Sequence, residues 1–72
     1  MNLTPEQSKR IKELLPRGQL ATIAKQLNVH HSLVYRTLAG KVDSPRVIQA
    51  LVDAAEAIKK TKEDISNRID EL

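Results

Sequence analysis

The chain has 72 residues, of which 12 are Lys or Arg and 9 are Asp or Glu, for a formal net charge of +3, and it contains no Cys, Trp or Phe. A chain this short has room for one marginally stable domain, which buries only about 60% of its unfolded surface. Disulfides and thiolate metal sites are excluded, and no apolar run reaches the ~20 residues of a membrane span or resembles a secretory signal, so we expect a cytoplasmic protein that gains stability by oligomerisation.

Helix 1 is predicted from a start signal at residues 4–7, Thr-Pro-Glu-Gln. Thr is a good N-cap, Pro fits the first helical position, and Gln three residues after the cap closes a capping box. We expect the helix to run to about Leu15 and to end at Pro16 and Gly18. Its apolar side chains recur at steps of three and four, which predicts one buried stripe: Ile11, Leu14 and Leu15.

Helix 2 is predicted to begin near Gln19 and to end at Leu27. Its apolar side chains again recur at helical spacing: Leu20, Ile23, Ala24 and Leu27. Asn28 follows directly, and Asn tolerates the left-handed conformation that closes a helix and turns the chain. We therefore expect a tight turn of three residues before the next helix.

Helix 3 is predicted over about residues 31–39, with Gly40 as its C-terminal stop. At 100° per residue one face carries Val34, Thr37 and Leu38. The opposite face carries Ser32, Tyr35, Arg36 and Ala39. One face should pack and the other should be offered to a partner. Two short amphipathic helices joined by a tight turn make a helix-turn-helix, whose second helix can enter a DNA major groove.

Helix 4 is predicted to start at Ser44 and Pro45, an N-cap followed by Pro at the first position. Alternating steps of three and four, interrupted only by Lys62, give it the heptad spacing of a coiled-coil seam: Ile48, Leu51, Ala55, Ile58, Lys62, Ile65, Ile69 and Leu72. We expect the first half to complete a domain over residues 1–58 and residues 59–72 to form a coiled-coil-like dimerisation segment. The dimerisation residues would be Ile58, Ile65, Ile69 and Leu72.

Charge divides the chain unevenly. Residues 1–46 hold eight basic and three acidic side chains, a net +5, whereas residues 47–72 hold four basic and six acidic side chains, a net −2. This division favours a module that faces a polyanion, followed by a segment that does not.

Residues 20–41 resemble the helix-turn-helix of the lambda repressor and Cro-like family. Their sequence is Leu-Ala-Thr-Ile-Ala-Lys-Gln-Leu-Asn-Val-His-His-Ser-Leu-Val-Tyr-Arg-Thr-Leu-Ala-Gly-Lys. The sequence departs from that family's pattern at Asn28, where Gly is preferred, at His30, where a capping Ser or Thr is usual, and at Thr37, a usually apolar site. The resemblance covers about residues 4–58. It implies an all-α, four-helix, lambda-repressor-like domain with the helix-turn-helix at about residues 19–40, followed by a long C-terminal helix.

The resemblance implies a repressor-like transcriptional regulator of bacterial or phage type that binds specific double-stranded DNA and resides at the nucleoid when bound. It puts four residues on the base-reading surface: His31, Ser32, Tyr35 and Arg36. Helical geometry by itself also selects Ser32, Tyr35 and Arg36. Arg36 is the best candidate for direct readout, because a guanidinium can bond guanine O6 and N7 together. The candidates for phosphate contacts flank the groove: Gln19, Thr22, Lys25, His30, Lys41 and Arg46.

The sequence is also compatible with other functions. The main alternative is a helical protein-interaction module, an adaptor or antitoxin-like subunit that docks a partner through helix 4. RNA binding is a third possibility, although Tyr35 is the one aromatic residue available for base stacking. We expect neither catalysis nor a cofactor nor a small-molecule pocket. We also expect no metal site, since His30 and His31 should diverge by 100° on a helix and no nearby carboxylate completes a set of ligands.

Overall fold

A computed structural model describes residues 2–72, and the regular secondary structure within them is all α-helix. The helices, in chain order, are α1 (Pro5–Leu14), α2 (Arg17–Leu27), α3 (His31–Leu38) and α4 (Pro45–Asp70). The predicted all-α class with four helices and a long last helix is therefore confirmed. No helix among these residues is both long enough and apolar enough to cross a membrane.

The start of α1 has the predicted capping box. The Thr4 hydroxyl oxygen accepts from the Gln7 backbone N–H at 3.2 Å, and the Gln7 side-chain oxygen accepts from the Thr4 N–H at 2.9 Å. Pro5 occupies the first turn, where no N–H is needed. The helix ends one residue earlier than predicted, because Leu15, which precedes Pro16, is extended.

The predicted start of α2 is wrong by two residues. Gly18 does not terminate α1; it lies in the first turn of α2, which begins at Arg17 after an extended Pro16. The physical reason is that the Pro16 carbonyl accepts the Gln19 backbone N–H at 3.0 Å and so forms the first turn of the helix. A glycine costs little in such a first turn, where half the backbone groups lack helical partners in any case.

Left-handed residues end both α2 and α3, as the sequence predicts. Asn28 has φ 54° and ψ 47°, and its N–H donates to the Lys25 carbonyl. Gly40 has φ 78°, and it donates to the Thr37 carbonyl while Lys41 donates to the Arg36 carbonyl. This pair of bonds is a Schellman motif, which satisfies carbonyls that a helix end leaves free. The last residue of α3 is Leu38, so the predicted Ala39 lies just beyond it.

The core lies between α4 and the three shorter helices, and α2 and α3 also pack closely against each other. It consists of buried aliphatic side chains: Leu3, Ile11, Leu15, Leu20, Ile23, Ala24, Val34, Leu38, Val47, Leu51 and Ala55. Thr37 is fully buried where an aliphatic residue would be expected, and its hydroxyl donates to the Leu33 carbonyl at 2.7 Å. That bond removes the cost of burying an unpaired polar group.

The N-terminal segment contributes to the fold in a way that the sequence pattern does not predict. Leu3 is buried, and the Asn2 side-chain amide donates to the Gly40 carbonyl at 3.0 Å. Ser8 is buried as well, and its hydroxyl donates to the Leu38 carbonyl. Together these contacts tie residues 2–8 to the C-terminal end of α3 and so fix where α3 sits.

Helix α4 is continuous over 26 residues, and it divides into two parts. Up to Ile58 it packs on the shorter helices, with Val47, Leu51 and Ala55 buried. Every residue from 59 to 72 is exposed. We call residues 2–58 the helical domain and residues 59–72 the α4 extension. The extension makes the molecule elongated, and the principal extents of the molecule are 44 × 25 × 17 Å.

Ser44 occupies the predicted cap position of α4, but its side chain makes no capping hydrogen bond. Its backbone carbonyl instead accepts the Ile48 N–H at 2.9 Å. Pro45 at the first helical position therefore provides the start signal by itself.

Candidate nucleic-acid interface

The two faces of α3 differ sharply in burial. Val34 and Thr37 are 0% exposed and Leu38 is 2% exposed, so this face is part of the core. The residues expected to read bases all lie on the exposed side of the helix: His31, Ser32, Tyr35 and Arg36. Tyr35 is 47% exposed and is one of the large apolar side chains that the fold leaves uncovered. The helix thus offers one polar face with an aromatic ring at its middle.

Three rings are grouped at the N-terminal end of α3. The centroids of the His30 and His31 rings are 4.3 Å apart, and the His31 and Tyr35 rings meet edge to face at 6.2 Å. The expected 100° divergence of the two histidines is wrong, because His30 precedes the helix with extended backbone angles and so is not subject to helical spacing. His31 and Tyr35 are one turn apart, which explains their contact.

His30 caps α3 in place of the more usual Ser or Thr. Its Nδ1 accepts the Ser32 backbone N–H at 3.2 Å and lies 2.8 Å from the Ser32 hydroxyl. Because an Nδ1 that accepts the N–H carries no proton, the Ser32 hydroxyl donates to the same nitrogen. The Ser32 oxygen keeps its acceptor lone pairs for a base edge, but its proton is engaged.

A shallow concavity separates α2 from α3 and brings a basic side chain beside the exposed face. It is lined by residues from both helices and the turn: Ala21, Ala24, Lys25, Val29, His30, His31 and Tyr35. Lys25 and His30 are the phosphate candidates that lie directly next to the base-reading candidates. Lys41 is exposed at the opposite, C-terminal end of α3.

Three other phosphate candidates already have partners within the fold. Gln19 is half-buried, and its backbone N–H is used by Pro16, so it offers no free N–H at a helix start. The Thr22 hydroxyl donates to the Gly18 carbonyl at 3.1 Å. Arg46 donates from Nη2 to the Leu27 carbonyl at 3.1 Å and thereby caps the end of α2. Arg46 keeps four further N–H donors, so its side chain can still reach a phosphate.

The charge around this surface has one sign. Residues 14–42 contain no Asp or Glu, and their charged side chains are Arg17, Lys25, Arg36 and Lys41, all four of them exposed. Both α2 and α3 lie within this range. A surface that carries only positive side chains attracts polyanions and repels cations, and nothing acidic on these two helices opposes that field.

Three residues hold this surface in place through contacts that the sequence does not indicate. Ser8 and Leu3 anchor the C-terminal end of α3, and Arg46 anchors the C-terminal end of α2. A serine amid charged residues of α1 gives no local signal of burial. The conspicuous Pro45-Arg46 start of α4 indicated a helix but not the carbonyl that Arg46 would reach.

Two further observations concern metal ligands and buried polar atoms in residues 2–72. These residues contain no group of three or more His, Asp or Glu side chains arranged to hold a metal ion, so the paired histidines lack further ligands. No buried side-chain nitrogen or oxygen among them lacks a hydrogen-bond partner. In comparisons with known proteins, no family model matches the chain, and neither a curated protein nor a solved structure matches it significantly.

Proposed function

We propose that this protein is a sequence-specific double-stranded DNA-binding regulator of transcription, repressor-like and without enzymatic activity. In this proposal α2, the turn and α3 act as a helix-turn-helix of the lambda repressor and Cro-like kind. Helix α3 lies in the major groove, and the protein works in the cytoplasm, at the nucleoid when bound. Pairing of two copies through α4 doubles the base-reading surface onto an inverted repeat.

The division of α3 into a buried and an exposed face carries this proposal. Its apolar face is fixed in the core, while the opposite face exposes His31, Ser32, Tyr35 and Arg36. The surrounding 29 residues, 14–42, supply positive charge with no acidic side chain. Phosphate attraction gives affinity and base contacts give specificity, and this face has candidates for both.

The roles of individual residues follow from their positions. Arg36 is the side chain that reads guanine through a bidentate contact, worth about 1–3 kcal/mol of discrimination. Tyr35 meets a thymine methyl with its ring or a phosphate with its hydroxyl, and His31 and Ser32 add less selective contacts. Lys25 and His30 contact phosphate beside the N-terminal end of α3. Lys41 and Arg46 contact the flanking backbone, with Gln19 and Thr22 contributing least because their N–H and O–H groups are engaged.

The first experiment is selection from a randomised duplex pool, followed by fluorescence anisotropy with the enriched duplex across a range of salt. We expect an enriched inverted repeat and an affinity that falls steeply as salt rises, since bound phosphates release counterions. No enrichment together with no salt-sensitive binding would refute the proposal.

Three variants then distinguish recognition of the bases from electrostatic attraction to the phosphates. Arg36→Ala should change the ranking of DNA sites, with the largest loss at a site containing the contacted guanine. Lys25→Ala should weaken all duplexes by a similar factor and reduce the salt slope by about one. Lys60→Ala is the matched control, because it removes the same charge from the exposed α4 extension. An unchanged ranking for Arg36→Ala would show that another residue reads the base.

The second candidate function is a protein-interaction module, as in an adaptor or antitoxin-like subunit. The exposure of three apolar residues on the α4 extension favours it: Ile65 at 51%, Ile69 at 61% and Leu72 fully exposed. This function predicts tight binding of a protein through the extension and duplex binding no stronger than that of any basic protein of the same net charge.

A further inference from the structure

His30 and Ser32 form a hydrogen-bonded pair at the N-terminal end of α3. His30 Nδ1 accepts the Ser32 backbone N–H at 3.2 Å, and it lies 2.8 Å from the Ser32 hydroxyl oxygen. A ring nitrogen that accepts an N–H carries no proton, so the hydroxyl donates its single proton to that nitrogen. The cap therefore determines more than the start of the helix, because it also fixes the direction of the Ser32 O–H bond.

The Ser32 oxygen keeps two lone pairs and has no proton left to offer. The residue is exposed on the same side of α3 as Tyr35 and Arg36. A serine hydroxyl ordinarily donates or accepts, and so it contacts either kind of base edge. With its proton held by His30, Ser32 meets an approaching group as an acceptor only. To donate, the hydroxyl must first give up its hydrogen bond to His30.

The second ring nitrogen of His30 has the opposite role. A neutral imidazole carries one proton, so with Nδ1 as the acceptor the proton is on Nε2. The residue is exposed and lines the same concavity as Lys25. An N–H donor has the polarity that a phosphate oxygen requires. A base amino group, Ser32, His30 and a phosphate then make a chain in which every donor points the same way, and each hydrogen bond polarises the next.

The major groove presents both kinds of group to Ser32. Adenine N6 and cytosine N4 are amino donors, whereas guanine O6 and thymine O4 are acceptors. An acceptor-only Ser32 bonds an amino group and sets its lone pairs against those of a carbonyl oxygen. Arg36, one turn further along the exposed side, has donors only. The two side chains therefore require opposite groups from the bases that they contact.

We propose that His30 makes Ser32 a selective reader, so that the base contacted by Ser32 is adenine or cytosine, recognised through its amino group. Ser32 touches the base, and His30 is a positioning residue that acts through Ser32. This inference rests on the proposed DNA binding, and it adds which chemical group one residue of α3 selects.

Site selection with the unmodified chain and with Ser32→Ala locates the contacted base pair. It is the position of each half-site at which the substitution abolishes the preference. Base analogues at that pair then identify the group. Purine in place of adenine, or 2-pyrimidinone in place of cytosine, removes the amino group. For the opposite base, 5-methyl-2-pyrimidinone in place of thymine, or 2-aminopurine in place of guanine, removes the carbonyl oxygen.

Anisotropy titrations of the chain and of Ser32→Ala with these duplexes measure the contact. We expect removal of the amino group to weaken binding by the chain about threefold to tenfold, the value of one hydrogen bond, and to weaken binding by Ser32→Ala much less. Removal of the carbonyl oxygen should affect both proteins equally. Because the analogues also weaken base pairing, the difference between the two proteins reports the contact.

Two further variants test whether His30 directs this preference. Exchanging the two bases of the contacted pair between the strands should cost the chain about threefold to tenfold and His30→Ala less than about twofold, because the released hydroxyl also donates. The lost cap lowers the affinity of His30→Ala for both duplexes by the same factor and leaves their ratio unchanged. Lys25→Ala is the matched control, since it removes a different side chain from the same concavity and should keep the ratio of the chain.

The outcomes separate the inference from the proposed function. A penalty for amino removal that Ser32→Ala abolishes, with the smaller ratio in His30→Ala, supports the inference. A penalty for carbonyl removal that Ser32→Ala abolishes means that Ser32 donates, and it overturns the inference. An unchanged selection by Ser32→Ala or an unchanged ratio in His30→Ala also overturns it, while enriched and salt-sensitive binding by the chain still upholds the proposed function. If the chain enriches no duplex, the proposed function fails and the inference fails with it.

Discussion

The two halves of α4 have the same apolar spacing and opposite surroundings. Leu51 is 0% exposed in the helical domain, whereas Ile65, two heptads further along the same seam, is 51% exposed in the α4 extension. The first half is covered because α1, α2 and α3 pack across it, and the second half extends beyond all three. Heptad spacing therefore predicts that a helix has an apolar stripe, but the rest of the chain decides what covers it.

The largest expected effect comes from truncating the buried half of this seam. Leu51→Ala removes a fully buried side chain at the centre of the core and should destabilise the protein by about 2–5 kcal/mol. Urea denaturation measures this loss, and we expect it to be the same at all protein concentrations.

Ile65→Ala is the matched substitution in the exposed half. It should leave the unfolding free energy of the dilute monomer nearly unchanged and lower the midpoint only at concentrations where copies pair. A concentration-independent loss above about 1 kcal/mol for Ile65→Ala would mean that the two halves of α4 do not differ as the structure indicates.

The next largest effect is expected at Gly40, which ends α3 inside the helical domain. It has φ 78°, and a Cβ there would lie 2.5 Å from the Leu3 carbonyl oxygen. Gly40→Ala should therefore cost at least about 2 kcal/mol, since both the backbone angle and the close approach oppose a side chain.

Gly18 provides the control, because a Cβ at Gly18 would meet nothing within 4 Å. Gly18→Ala should be neutral or should stabilise the protein by up to about 1 kcal/mol, through the entropy of the unfolded chain. Thermal unfolding of the two variants side by side tests the contrast, and equal losses would contradict it.

Local signals in the sequence predicted much of the fold correctly. The capping box at Thr4, the left-handed Asn28 and Gly40, and the buried face of α3 all depend on residues within a few positions of one another. The start of α2 was mispredicted because Pro16 can either end one helix or precede the next, and only the backbone path decides between them.

What the sequence could not predict depends on contacts between distant residues. Ser8 reaches Leu38 across 30 residues, and Arg46 reaches Leu27 across 19. Neither side chain differs locally from an ordinary solvated one. Helical spacing alone predicts that Ser32, Tyr35 and Arg36 share the exposed side of α3. It does not predict that backbone groups engage Gln19 and Thr22.

Ser8 is the long-range contact whose loss should be measurable. Ser8→Ala removes the hydroxyl that donates to the buried Leu38 carbonyl, and leaving that carbonyl unpaired costs about 1–3 kcal/mol. Amide hydrogen exchange should show faster opening at the C-terminal end of α3. Ser66→Ala, in the exposed extension, should change stability by less than about 0.5 kcal/mol. Comparable losses of stability in the two serine variants would show that the Ser8 hydrogen bond does not stabilise the C-terminal end of α3.

The smallest expected effect concerns the cap of α3, which separates the two adjacent histidines. His30→Ala removes the Nδ1 acceptor of the Ser32 N–H and should cost about 1 kcal/mol, while His30→Asn should restore most of it because Asn is a strong N-cap. His31→Ala removes an exposed ring from the first turn and should change stability by less than half as much. Chemical denaturation of the three variants at one protein concentration measures the differences. If His31→Ala is as costly as His30→Ala, stacking of the two rings rather than capping stabilises the start of α3, and the helical domain holds its exposed surface in place by aromatic contact.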